Sequence, residues 1–151
     1  MLKEPLLYLS LYLKSNRQTY YDLLQSVRET GDWEAWIKFF LAGVAETANQ
    51  AANTAQTLLA LFDKDKVTIS ASRKSTASIL AVHAYMQRHP VTSTTRIKEA
   101  CSISLPTVLR SLATLEALGV IKEVTGRGRH KVFVYDAYLN ILNQGTEPLA
   151  R

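Results

Sequence analysis

The sequence predicts a mainly α-helical chain in two parts, a helical, bundle-like N-terminal region over residues 1–62 and a helical domain with a small β-hairpin over 73–151, joined by a linker at 63–72. Three observations carry this. Apolar residues recur at helical spacing with little interruption to Phe62. The stretch "DKDKVTISASRKSTAS" (63–78) is polar, charged and rich in Ser and Thr, unlike either flank. Beyond it, short helical patterns give way to two strand-like runs, "VIKEVTG" and "HKVFVYD", on either side of "RGR".

The elements follow in order. "EPLLYLSLYLKSN" carries Pro5 in its first turn and sets Leu6, Leu9, Tyr12 and Leu13 within reach of one face. "RQTYYDLLQSVRETG" places Tyr20, Leu23, Leu24 and Val27 at i, i+3, i+4 and i+7, with Gly31 as its stop. Asp32 then caps a long helix from Trp33 to about Phe62, and Gly43 in its interior costs about 1 kcal/mol. Trp33, Trp36, Phe39 and Phe40 form an aromatic stripe along it, which core packing explains best. "TASILAVHAYMQRH" is a helix ended by Pro90, and "TTRIKEAC" is a short one. "SISL" is a tight turn. "SLPTVLRSLATLEALG" is a third helix with Ser104 as N-cap, Pro106 in its first turn and Gly119 closing it. The two strands and a last helix, "AYLNIL", complete the chain. Helix, helix, turn, helix, strand, basic loop, strand is the order of a winged helix-turn-helix.

Composition bounds the function. At 47% hydrophobic and 21% charged residues, the 151-residue chain is globular. Cys101 is the one cysteine, so no disulfide forms within the chain and a cytoplasmic setting is expected. No apolar run approaches the roughly 18 residues of a membrane span, so no membrane partner is expected. The net charge of +5 is uneven. Residues 1–62 hold five Lys/Arg against six Asp/Glu, whereas 63–90 hold five against two and 91–151 eight against five. An anionic partner is therefore expected at the second half. His83, His89, His130 and Cys101 lie at no ligand spacing, so neither a metal nor another cofactor is expected.

Duplex DNA is the expected partner. On the third helix, Leu105, Val108, Leu109, Leu112 and Leu115 gather on one side. Thr107, Arg110, Ser111 and Thr114 fall on the other, a small polar front suited to base edges and phosphates. In such a fold the hairpin is a wing, and Arg127, Arg129, His130 and Lys131 would project beside the groove. The competing reading is a protein-interaction or oligomerisation module, with the Leu/Tyr-rich N-terminus able to drive formation of a homodimer.

The run "LLYLSLYLKSNRQTYYDLLQSVRETGDWEAWIKFFLAGVAETA", with Tyr20-Tyr21-Asp22-Leu23-Leu24 and Gly31-Asp32-Trp33-Glu34-Ala35-Trp36 at its centre, resembles the segment that follows the catalytic core of Fic (filamentation-induced-by-cAMP) proteins. The resemblance continues through "LLALFDKDK" into the winged helix that many of them carry, and so covers nearly the whole chain. It implies a regulatory, non-catalytic C-terminal region of a protein nucleotidyltransferase that attaches AMP, with the missing Fic catalytic domain as a partner. The family's H-P-F-x-x-G-N-G-R loop has no match, because His89-Pro90 is followed by Val91. Its inhibitory motif [S/T]-x-x-x-E-[G/N] is also unmatched: Thr30 to Glu34 and Thr95 to Glu99 have the spacing but are followed by Ala35 and Ala100. No catalytic residue is therefore expected, and the chain reads as the C-terminal piece of a longer protein.

Overall fold

A computed structural model describes residues 5–126 and 131–143. Among them are seven helices and three strands, in the order α1 (Pro5–Ser15), α2 (Arg17–Thr30), α3 (Trp33–Ala71), α4 (Ala77–Met86), β1 (Val91–Ser93), α5 (Thr94–Cys101), α6 (Leu105–Ala117), β2 (Lys122–Glu123), β3 (Val132–Val134) and α7 (Asp136–Asn143). The chain is thus mainly helical with a small antiparallel sheet. It divides into two units, Met1–Gln56 with Gly145–Arg151, and Thr57–Gln144.

The first unit is built from α1, α2 and the opening half of α3. Gly31 adopts a left-handed conformation (φ 72°) and its N–H meets the Val27 carbonyl, which stops α2 where the sequence places its end. Asp32 accepts from the Ala35 N–H and starts α3. Tyr20, Leu23, Leu24 and Val27 are half-buried, whereas Tyr21 is exposed. The Tyr12 ring lies so close to Gly43 that a β-carbon there would stand 2.5 Å from it. Glycine at 43 is therefore what lets the tyrosine approach the α3 backbone. Phe39 also packs against that ring, with centroids 5.4 Å apart, and Trp36 stacks on Phe40 at 5.3 Å. Trp33, expected in the core with them, is 59% exposed.

The second unit has a single core drawn from the end of α3, from α4, α5, α6 and β3, and from residues beside the strands: Ile69, Ile79, Val82, Met86, Ile97, Val108, Leu112, Leu115, Val120, Ile121, Phe133 and Tyr135. Helices α4, α5 and α6 pack against one another. Each begins on a hydroxyl cap: Thr76 accepts from the Ile79 N–H, Ser93 from Arg96 and Ser104 from Thr107. The tight turn between α5 and α6 passes through Ser102 in the left-handed region (φ 53°). The sheet has the order β1-β3-β2, all antiparallel, with Thr92 opposite Phe133 and Glu123 opposite Phe133 on its other edge.

Two expectations need correction. Residues 63–71 are not a linker but the last turns of α3, which runs nine residues past Phe62. Asp65 and Ile69 in this stretch are buried, one helical turn apart on the same face, and it is that face which the second unit covers. The irregular connection is the short turn Ser72–Ser75. Strand β1 was not expected. Its three residues "VTS" are too short to show alternation, and the Thr92 position opposite Phe133 defines them. Among the described residues no helix is long and apolar enough to cross a membrane.

Candidate nucleic-acid interface

Helix α6 turns a different face outward from the one its spacing suggests. Val108, Leu112 and Leu115 are fully buried, as expected. Ser111 (2% exposed) and Thr114 (9% exposed) are buried with them, so these two expected contact residues do not present their side chains to solvent. Both are small enough to let neighbouring packing come close, and the Thr114 hydroxyl is satisfied by donating to the Arg110 carbonyl at 3.0 Å. In exchange Leu105 and Leu109, expected on the packed side, are each 43% exposed. The outward face thus comprises Leu105, Pro106, Leu109, Arg110, Ala113, Glu116 and Ala117, with Thr107 half-buried at its edge. Thr107 is held by its hydroxyl contact to Ser104 Oγ, at 2.8 Å.

The base of the hairpin is tied to α6. Glu116 accepts from the Glu123 N–H at 3.1 Å. Glu123 in turn receives Lys131 Nζ at 2.9 Å and the Thr125 hydroxyl at 3.0 Å. The Lys131 ammonium holds the Glu123 carboxyl below its usual range, and the carboxylate raises the lysine in return. Lys131, expected to reach a phosphate, is therefore committed to the hairpin's own carboxylate. Arg127, Arg129 and His130, the other expected wing contacts, lie outside the described residues.

A cationic pair that the helical pattern did not single out stands beside α6. Arg73 and Lys74 occupy the turn before α4 and are exposed. Two clefts adjoin them. One of about 540 Å³ is lined by Arg73, Lys74, Arg110 and Ala113 among others. The other, about 380 Å³, is lined by Lys74, Thr76, Ser78, Thr107, Arg110 and Ser111 among others. The signal was present in "SRKS", but a basic run in a polar stretch reads first as solvated linker.

His83, Cys101 and His89 sit in structural contacts. His83 is buried and its Nε2 lies 3.4 Å from the Tyr135 hydroxyl, which donates to Asp65 at 2.5 Å. Burial lowers the His83 pKa below the usual imidazole value, against the opposing pull of Asp65. Burial likewise raises the Cys101 thiol, whose sulfur faces the Ala81 carbonyl. His89 packs against the Tyr85 ring at 4.6 Å. Among the described residues no cluster of His, Cys, Asp and Glu is assembled to hold a metal ion. No protein-family model matches the chain.

Proposed function

We propose that residues 57–144 form a winged helix-turn-helix that binds duplex DNA, with α6 as the helix that enters the groove. On this reading the chain is the non-catalytic, regulatory C-terminal region of a Fic-type protein nucleotidyltransferase. The observation that supports DNA binding best is α6 itself. Its buried back anchors it in the core, and its N-terminal half offers Thr107 and Arg110 outward. The unit that carries it holds twelve Lys/Arg against six Asp/Glu. The Fic reading is supported by the sequence resemblance over residues 6–66, and the non-catalytic role follows from the lack of a match to that family's catalytic loop in this sequence.

Fluorescence anisotropy with labelled duplexes across a salt series tests the binding. The affinity should fall steeply as salt rises, by about 0.9 in log K per log salt for each phosphate neutralised. Arg110→Ala should weaken binding and, where Arg110 reads a base, cost about 1–3 kcal/mol of discrimination between sites. A parent protein that binds no duplex at low salt overturns the reading. Incubation with labelled ATP should leave no AMP on the chain or on added proteins.

Leu105 and Leu109 favour a second reading, a protein-docking face on α6, because two half-exposed leucines one turn apart suit an apolar groove. Leu105→Ser with Leu109→Ser would then abolish partner capture, while DNA affinity stayed near that of the parent.

A further inference from the structure

The turn ahead of α4 carries more than connectivity. Its backbone is fastened at both ends: the Ser72 N–H meets the Ile69 carbonyl at 3.1 Å and the Ser75 N–H meets Ser72 at 2.9 Å. The Lys74 N–H also lies 3.3 Å from Ser72 Oγ. Arg73 and Lys74 are thereby presented from a fixed turn. Lys74 and Arg110 line both clefts beside α6, and Arg73 lines the larger. Among the described residues no carboxylate lines either cleft. Neither of the two described ion pairs, Lys38 with Glu34 and Lys131 with Glu123, involves these three cations.

Two further features converge there. The smaller cleft opens on the start of α4, where Thr76 caps the Ile79 N–H and leaves the amides of Ala77 and Ser78 without an intrahelical carbonyl. That end carries the positive pole of a ten-residue helix. Ser111 lines the same cleft and is almost wholly buried.

We propose that Arg73, Lys74, Arg110 and the first turn of α4 form a seat for a phosphate group, filled by a backbone phosphodiester of duplex DNA. The chemistry fits a phosphate better than a carboxylate. A tetrahedral anion offers acceptors in several directions at once, and the donors arrive from a turn, a helix start and a neighbouring helix. The duplex is the source because the seat borders the outward face of α6, so a backbone held there lies alongside the groove that α6 enters. This assignment rests on the DNA-binding reading, and it adds a contact made from outside α6 and the hairpin.

Two measurements test it. Inorganic phosphate titrated into the labelled protein should shift the amide resonances of Ala77 and Ser78 and the Arg110 Nε, and Arg73→Gln with Lys74→Gln should remove those shifts. The same double variant should lower the salt slope of duplex binding by about 0.9, the share of the one phosphate held in the seat, with preference between sites unchanged. Both side chains are exposed, so circular dichroism should match the parent. If the parent binds duplex and the double variant keeps the parent's slope, the seat is wrong while DNA binding stands. If phosphate moves those resonances but no duplex binds, the seat takes a free phosphate and both the duplex assignment and the proposed function fall. If neither ligand has an effect, both fall together.

Discussion

Asp65, His83 and Tyr135 meet in one buried chain of hydrogen bonds, although 70 positions separate the tyrosine from the aspartate and 52 from the histidine. Gln87 adds a contact to His83 Nδ1 at 3.4 Å. This arrangement makes the second unit's stability depend on pH at both ends. His83 has a pKa depressed by burial, so below about 6.5 the unfolded chain binds the proton more readily than the folded one. The histidine's contribution is complete above that value and is lost as pH falls from it toward the depressed folded value. Burial and the bond to Asp65 raise Tyr135, so above about 10 only the unfolded tyrosine gives up its proton, and stability falls again. Urea midpoints should hold a plateau between roughly 6.5 and 8.5, above which the raised Cys101 thiol and then Tyr135 draw stability down, and His83→Gln should flatten the acid limb. Tyr135→Phe leaves the Asp65 carboxylate without its donor and should cost about 1–3 kcal/mol by denaturant titration. None of this was legible locally. Asp65 sits in "DKDK", which reads as solvent-facing charge, and its partner is specified by a fold rather than by neighbours.

Among the elements, two glycines show how the same residue type serves opposite ends. Gly119 ends α6 with φ 72° and has open space around its α-carbon. Gly119→Ala should therefore cost about 1 kcal/mol through the left-handed backbone alone, seen as a lowered Tm. Gly43 has open backbone geometry and a crowded surround. Alanine there would gain about 1 kcal/mol in helix propensity, yet its β-carbon would meet the Tyr12 ring. Overpacking costs about 1–3 kcal/mol, so Gly43→Ala should destabilise the first unit, and the same change in a Tyr12→Ala background should stabilise it. The caps of α2, α3 and α6 were readable because Gly31, Asp32 and Ser104 act on their own neighbours. The facing of α6 was not. A helical wheel finds the leucines, but Ser111 and Thr114 are buried because of what packs beside them, and Leu105 and Leu109 are left outward for the same reason.

For the molecule as a whole, the position of the boundary decides which pieces can stand alone. A chain of residues 57–144 keeps the whole buried cluster from Ile69 to Tyr135 and should unfold cooperatively. A chain cut at the expected boundary, 73–144, loses Ile69 from the core and Asp65 from Tyr135. It should be weaker by several kcal/mol, since a buried aliphatic side chain alone is worth about 2–5 kcal/mol, and thermal melts of the two pieces would show it. The composition break at 63–78 was real but marked a charged helix surface, because a helix end covered on one face still shows polar residues on the other. The sheet has its own consequence. Its middle strand, β3, is the last to leave the ribosome, while both of its edges are made earlier. Until Val132–Val134 arrives, β1 and β2 have no strand to pair with, and Asp65 waits for its hydroxyl. The three helices α4, α5 and α6 can gather first through contacts near in sequence, and closure of the sheet comes as the final, slower step. A nascent chain halted at residue 126 would hold its helices over an unfinished floor, with Val120 and Ile121 lacking the Phe133 and Tyr135 that complete their core.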